Sequence, residues 1–357
     1  MVLSPNRTIR DFTITELIGK GGMGEIYLAK DINLNRDVAI KVLKSELTND
    51  PSFAKRFINE ARVQAMLIHA NIVTLYSFFE EAGHYYMVME HAPGTTLDTL
   101  IKQINIIPEP RALNIFRQIC EALDFAHKKD IVHRDIKPSN IMVDIEKNDN
   151  VKILDFGIAR ILSDARLTRT GTMLGTVNYM SPEQVLAEKD IDHRSDIFSA
   201  GILLYEMLTG RLPYDVDTES QFNIQEQIIY EDIPDPLQFY EFIRPSTINL
   251  LEALTQKKRD DRPNCILQAY QDNFKYTDTP TVSQEEKDLS IPDVSTVSDD
   301  AGFNDDKQET DTEHKTTYSG IHELSEPKNR LLDFLFTIIM WGLIILFSVF
   351  LFTHCSG

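Results

Sequence analysis

Three side chains in the segment HRDIKPSN, residues 133–140, raise the question of phosphate-transfer chemistry. They are a carboxylate, a lysine and an amide, at Asp135, Lys137 and Asn140. Two short apolar runs follow and flank the turn-rich sequence EKNDN, which predicts a β-hairpin. The hairpin would bring Asn140, just before its first strand, close to Asp155, just after its second. Two oxygen-bearing side chains at one end of a hairpin could hold a hard cation such as Mg²⁺, together with substrate phosphates.

Helical periodicity predicts that two further charged residues pair with each other. Asp50 and Pro51 offer an N-cap and a proline at the first helical position. The helix that follows places five residues on one face: Phe53, Phe57, Glu60, Ala61 and Gln64. A carboxylate on this largely apolar stripe needs a cationic partner, and Lys41 in the apolar strand just before is a candidate.

The elements around these residues follow from local patterns. Short strands are predicted over residues 12–18 and 26–29, on either side of the glycine-rich turn GKGGMG, and over residues 37–42. An amphipathic helix is predicted farther along from apolar residues at helical spacing, Ile115, Ile119, Leu123 and Ala126. Residues from about 12 to 274 therefore mix strand and helix patterns.

An ordered series of motifs covers the same region: GKGGMG, VAIK, Glu60, HRDIKPSN, DFG, GTVNYMSPE, DIFSAG and DRP. Each motif alone is weak, since a GxGxxG also suits dinucleotide binding. Together the motifs resemble a eukaryotic-like (Hanks-type) serine/threonine protein kinase of the kind found in bacteria, over residues 12–274. The resemblance implies a bilobal α+β fold, with a five-stranded antiparallel sheet and one helix followed by a mainly helical lobe.

The resemblance implies a role for each charged residue. Asp135 would accept or orient the proton of the substrate hydroxyl, and Lys137 would steady the γ-phosphate. Lys41, oriented by Glu60, would contact the α- and β-phosphates of ATP. Asn140 and Asp155 would hold Mg²⁺, with Mn²⁺ as an alternative.

The nucleotide site implied by the family also includes glycines, apolar residues and part of the hinge. The glycines of the first turn would let backbone amides approach the phosphates. Met89 would be the gatekeeper, and the backbone of Glu90 and Ala92 would bind adenine. Including Lys41, the expected set is Ile18, Gly19, Gly21, Gly24, Ile26, Ala39, Lys41, Met89, Glu90, Ala92 and Met142. The apolar members are also consistent with a plain core role.

By the same resemblance, Arg134 would pair with a phosphate in the activation segment. The expected autophosphorylation sites are Thr168, Thr170 and Thr172. The alternative is that these threonines are ordinary polar loop residues. Thr176 in GTVNY, together with Lys137, matches the branch that phosphorylates serine and threonine.

Several other residues are expected to be structural. Glu183 and Arg262 resemble the family's buried ion pair, and Asp196 resembles its brace beneath the catalytic loop. His133 and Phe156 are expected to stack in the core. A role for His133 as general base is not predicted.

Charge is distributed unevenly along the 357 residues. The formal net charge is −19 and the pI about 4.9, which argues against a nucleic-acid partner. Residues 275–330 are acidic, rich in serine and threonine and poor in large apolar side chains, which predicts a disordered linker. The three cysteines form no CxxC motif, so no disulfide framework or zinc site is expected.

A transmembrane helix is predicted over residues 331–353. Residues 334–352 carry no charge, and 19 helical residues span roughly 28 Å, about the hydrocarbon thickness of a bilayer. Lys328 and Arg330 precede this stretch, which places the preceding chain in the cytoplasm. The alternative is a buried core helix.

The resulting prediction is a membrane-tethered Ser/Thr kinase that transfers the ATP γ-phosphate to proteins and is activated by autophosphorylation. Its expected partners are protein substrates and membrane lipid. Phosphothreonine-binding proteins could dock on a phosphorylated linker, although a passive spacer is equally consistent with its composition. Homodimerisation is left open. The alternative function is a pseudokinase or scaffold that docks partners through its Thr-rich tail.

Overall fold

The computed structural model describes residues 4–21, 24–44, 47, 50–156, 177–214 and 221–274. The first lobe contains one antiparallel sheet in the order β1-β2-β3-β4-β6-β5. Its strands are β1 (Thr8–Ile9), β2 (Phe12–Lys20), β3 (Gly24–Asp31), β4 (Arg36–Leu43), β5 (Leu75–Glu81) and β6 (His84–Glu90). The prediction of five strands was wrong by one. The additional strand β1 has only two residues, too few to show an alternating pattern.

Helix α1 (Pro51–Gln64) packs against this sheet and begins where the sequence predicts. The side chain of Asp50 caps it by accepting a hydrogen bond from the backbone N–H of Ser52 at 2.8 Å. Its buried face differs slightly from the prediction, because Ala54 is buried and Phe53 is only half-buried. The rest of the face, including Glu60, is buried as predicted.

The second lobe is mainly helical. Its helices are α2 (Leu97–Ile104), α3 (Glu109–His127), α4 (Pro182–Val185), α5 (Arg194–Thr209), α6 (Gln221–Tyr230), α7 (Pro245–Leu254) and α8 (Ile266–Phe274). The predicted amphipathic helix is part of α3, and Cys120 lies fully buried in it. Helix α5 contacts both α3 and α7, and almost all of its side chains are buried, consistent with a central position in the lobe.

A small sheet in the order β7-β8-β9 positions the polar residues that the sequence singles out. Its strands are β7 (Thr95–Thr96), β8 (Ile141–Asp144) and β9 (Asn150–Ile153). Strands β8 and β9 form the predicted hairpin, in which Ile141 lies opposite Ile153. The backbone N–H of Leu154 donates to the carbonyl of Asn140 at 2.9 Å, so Asn140 and Asp155 lie at the same end of the hairpin.

The largest apolar core lies in the second lobe and anchors the segments that carry the site. Ile136, Ile141, Ile153 and Phe156 are fully buried members of this core. Each lies within a few residues of a predicted catalytic or metal-binding side chain. Burying such a side chain stabilises the fold by about 1.5–3 kcal/mol, so packing of the apolar neighbours holds the polar residues in place.

Some predicted features lie outside the described residues: the linker at 275–330, the membrane span at 331–353, and Thr168, Thr170, Thr172 and Thr176. In the part of the chain that the structure describes, no helix has both the length and the apolar character needed to cross a bilayer.

Candidate active site

Lys41 lies at the junction of the sheet and the hairpin, where it contacts two carboxylates. Its Nζ is 2.6 Å from Oε1 of Glu60 and 2.9 Å from Oδ1 of Asp155. The contact with Glu60 is the one that the sequence predicts, and both side chains are more than nine-tenths buried. Burial alone would lower the pKa of Lys41, but the charges of Asp155 and Glu60 outweigh it and raise the pKa above its usual range. The lysine therefore stays charged.

The catalytic loop brings Asp135, Lys137 and Asn140 into direct contact. Nζ of Lys137 lies 2.8 Å from Oδ2 of Asp135. The amide nitrogen of Asn140 donates to the same Oδ2 at 3.0 Å and to the backbone carbonyl of Asp135 at 2.8 Å. The carboxylate of Asp135 is therefore held by two neighbours while a fifth of its side chain stays exposed, so a substrate hydroxyl could reach it.

His133 is architectural, as predicted from its motif. Its Nδ1 accepts a hydrogen bond from the backbone N–H of Asp135 at 3.2 Å, so its Nε2 donates to the carbonyl of Leu154 at 2.9 Å. Its ring packs against that of Phe156 with centroids 4.6 Å apart. Nδ1 is thus occupied within the catalytic loop, and Nε2 joins this loop to the strand that leads to Asp155. Neither nitrogen is left to act as a base.

The backbone is held in sparsely populated conformations at two of these positions. Arg134 has φ of 66° and Asp155 has φ of 38°, and such positive values are uncommon outside glycine. Asp196 stabilises the first by accepting hydrogen bonds from the backbone N–H groups of His133 at 2.8 Å and Arg134 at 2.7 Å. Asp196 is fully buried, which opposes its ionisation, but the hydrogen bond and charge of His127 lower its pKa. The predicted brace is present.

The donor atoms beside the hairpin fit a hard cation. The amide nitrogen of Asn140 is committed to Asp135, so its amide oxygen is the atom suited to a metal. Asp155 uses Oδ1 to contact Lys41 and carries a second carboxylate oxygen. Amide and carboxylate oxygens are the ligands that Mg²⁺ prefers, and Mg²⁺ normally completes its shell with phosphate oxygens and water.

The predicted adenine-binding residues are only partly brought together. Met89, Ala92 and Met142 share one apolar cluster, and Ala39 lies opposite Met89 in the sheet. Ile18, by contrast, lies near the end of β2 with 46% of its surface exposed.

Of the three glycines predicted to approach the phosphates, Gly24 has a structural requirement of its own. A Cβ added at Gly24 would lie 2.7 Å from the carbonyl oxygen of Val42. Gly19 and Gly21 would make only ordinary contacts. Close packing of β3 on β4 therefore accounts for Gly24 without reference to phosphate.

The structural pair beneath the site is present as predicted. Arg262 donates to both carboxylate oxygens of Glu183, at 2.7 and 2.9 Å, and both side chains are buried. Burial opposes ionisation of Glu183, but the hydrogen bonds and charge of Arg262 lower its pKa.

Besides the contact of Asp155 with Lys41, two contacts at the site were not predicted. The side chain of Gln184 donates to the backbone carbonyl of Arg134 at 3.0 Å, which ties the SPE motif to the catalytic loop. Lys152 contacts the carboxylate of Glu90, whose backbone alone was predicted to act. Lys152 lies within the second apolar run of the predicted hairpin, and that pattern indicated no partner for it.

A small antiparallel sheet with one helix, a larger helical lobe, and a lysine–carboxylate pair facing a catalytic loop are the features of a protein kinase fold. The chain belongs to the protein kinase family: the family model described as Protein kinase domain matches residues 12–274. The solved kinase domain of PknI from Mycobacterium tuberculosis shares this fold, with a TM-score of 0.59 and 23% identity. That likeness covers 77% of this chain and 99% of the PknI chain.

Similar curated proteins are bacterial. The serine/threonine-protein kinase PrkC of Bacillus subtilis is 42% identical over 249 residues, and PknB of Mycolicibacterium smegmatis is 40% identical over 265 residues. These matches cover 69% and 72% of this chain, but only 37% and 42% of the relatives. The chain thus matches about two fifths of the length of each.

Proposed function

We propose that this protein is an ATP-dependent serine/threonine protein kinase. The observation that carries the proposal is two sets of contacts: Lys41 with Glu60 and Asp155, and Asp135 with Lys137 and Asn140. They are joined because Asn140 and Asp155 lie at the same end of the hairpin. The names of the curated relatives support the choice of serine and threonine as acceptors.

The chemistry assigned to these residues is positioning and charge neutralisation. The substrate hydroxyl oxygen attacks the γ-phosphorus of ATP, the bond from that phosphorus to the β–γ bridging oxygen breaks, and ADP leaves. Asp135 takes the hydroxyl proton. Lys137 neutralises charge on the transferred group, and Lys41 on the α- and β-phosphates. Asn140 and Asp155 would hold Mg²⁺, which neutralises phosphate charge when bound.

We further propose that the kinase is tethered to a membrane by residues 331–353, with its kinase domain in the cytoplasm, and is activated by autophosphorylation at Thr168, Thr170 or Thr172. The uncharged stretch at 334–352 supports the tether, and Arg134 in the catalytic loop supports activation by phosphate. Confinement to a surface would raise the local concentration of copies and favour phosphorylation in trans.

The test is incubation of the full-length protein with Mg-ATP beside an Asp155→Asn variant, with phosphosites mapped by mass spectrometry. We expect phosphate on Thr168 or Thr170 in the parent and none in the variant. Folded parent that binds ATP yet stays unmodified, even after treatment with an active kinase of the same family, would favour the scaffold alternative.

The tether has its own test. Full-length protein should remain in the membrane fraction after alkaline carbonate extraction, whereas protein truncated before residue 331 should be released. Release of both would contradict the membrane anchor and leave the kinase proposal intact.

A further inference from the structure

Glu90 and Lys152 form an ion pair that joins the adenine-facing edge of the first lobe to the hairpin of the second. Nζ of Lys152 lies 2.7 Å from Oε1 and 2.8 Å from Oε2 of Glu90. The side chain of Lys152 is 15% exposed and that of Glu90 is 22% exposed, so the pair is largely shielded from water. Shielding strengthens such an interaction and restricts its geometry.

Each partner adjoins residues of the candidate nucleotide site. Glu90 directly follows Met89 at the end of β6 and is two residues from Ala92. Lys152 lies opposite Met142 in the register of β8 and β9, and three residues before Asp155. The pair therefore joins the wall expected to contact adenine to the strand that delivers the expected metal ligand.

A continuous set of hydrogen bonds runs alongside this pair. The backbone N–H of Thr74 donates to Oε2 of Glu90 at 3.2 Å, and the backbone N–H of Glu90 donates to the carbonyl of Thr74 at 2.9 Å. Next to Thr74, the N–H of Val73 donates to the carbonyl of Ile153 at 3.0 Å. Glu90 is thus held both from its own lobe and from β9.

We propose that Glu90 and Lys152 are a positioning pair that sets the affinity for ATP by fixing the adenine-binding edge relative to β9. Neither side chain is assigned contact with the reacting atoms. The inference rests on the proposed function, because it concerns how the same site binds its nucleotide. Loss of the pair should weaken ATP binding while the transfer step proceeds at its normal rate.

The test compares Lys152→Met and Glu90→Gln with the parent, using full-length protein. We expect each variant to raise the Kd of a fluorescent ATP analogue and the KM for ATP about tenfold, with kcat within about twofold. The exchanged variant Glu90→Lys/Lys152→Glu should restore much of the affinity, because it restores the opposite charges at the same positions.

Arg111 and Asp149 supply a matched control. They form a similar two-contact ion pair, at 2.7 and 2.8 Å, which joins helix α3 to the turn of the same hairpin at the end away from Asp155. Arg111→Met and Lys152→Met should both lower thermal stability, yet Arg111→Met should leave the Kd and KM for ATP unchanged.

Two results would overturn the inference: an unchanged Kd for ATP in folded Lys152→Met, or an equal rise of Kd in Arg111→Met. These outcomes are distinct from a failure of the proposed function. A parent that binds no ATP would contradict the proposed function as well, whereas a parent and variants that bind ATP equally well would contradict this inference alone.

Discussion

Replacing Glu206 by glutamine should stabilise the protein at alkaline pH far more than at acidic pH. Glu206 lies in α5, and its Oε2 accepts a hydrogen bond from the hydroxyl of Tyr179 at 2.5 Å. Burial raises the pKa of Glu206 to about 7. The charge of Asp98 also raises this pKa, whereas the hydrogen bond from Tyr179 and the charge of Lys102 lower it.

The direction of the effect follows from proton linkage. Between the ordinary pKa of 4.5 and about 7, folded protein keeps a proton on Glu206 that the unfolded chain has released. Stability from this group is therefore fully present below the ordinary pKa and is lost as the pH rises through the folded pKa. The pKa difference corresponds to about 3 kcal/mol, of which about 2 to 3 kcal/mol falls between pH 5 and pH 8.

Glutamine removes the titration but keeps an oxygen that can accept the hydrogen bond from Tyr179. Urea unfolding at pH 5 and pH 8 measures the unfolding free energy of the parent and of Glu206→Gln. Subtracting one from the other at each pH removes the contribution of the other titrating groups, which both proteins share. Glu188→Gln, at an exposed site in the same lobe, is the control for the same substitution away from Tyr179. A Glu206→Gln effect that is the same at both pH values would refute the reasoning.

Two further predictions concern the loop and the ion pair beneath it. Asp135→Asn should lower kcat at least about a hundredfold with little change in ATP affinity, because the carboxylate proposed to take the proton is lost; kcat near that of the parent would contradict this role. Glu183→Gln should destabilise the fold by about 3–5 kcal/mol, since Arg262 would remain buried without its counter-charge. Chemical denaturation measures this change. A loss below about 1 kcal/mol would show that the main-chain carbonyls of Gln256, Lys257 and Arg194, which also accept hydrogen bonds from Arg262, suffice to stabilise its charge.

Local signals predicted the elements well where they were strong. The start of helix α1 follows from Asp50 and Pro51, because an N-cap and a proline at the first turn act within a few residues. The hairpin follows from two apolar runs around a polar turn. The two residues of β1, in contrast, are too few to show a periodic pattern. Ala54 rather than Phe53 is buried, because the contacts of α1 with β5 and β6 decide which side of its apolar face is covered.

The candidate site divides in the same way. The contact between Lys41 and Glu60 could be predicted, because a carboxylate on an apolar helix face needs a cation and the preceding strand offers one. The contact of Asp155 with Lys41 joins residues 114 positions apart and has no local signature. The same is true of the hydrogen bond from Gln184 to the backbone of Arg134.

The sequence by itself determined the family, the identity of the polar residues and the elements that carry them. These depend on residue type, spacing and periodicity, which act along the chain. Only the tertiary structure decided that Lys152 pairs with Glu90, that both nitrogens of His133 are occupied, and that Gly24 lies against a neighbouring strand. Such contacts depend on how the two lobes and the hairpin pack. Packing selects partners by shape and by distance in three dimensions, which the spacing of residues along the chain does not specify.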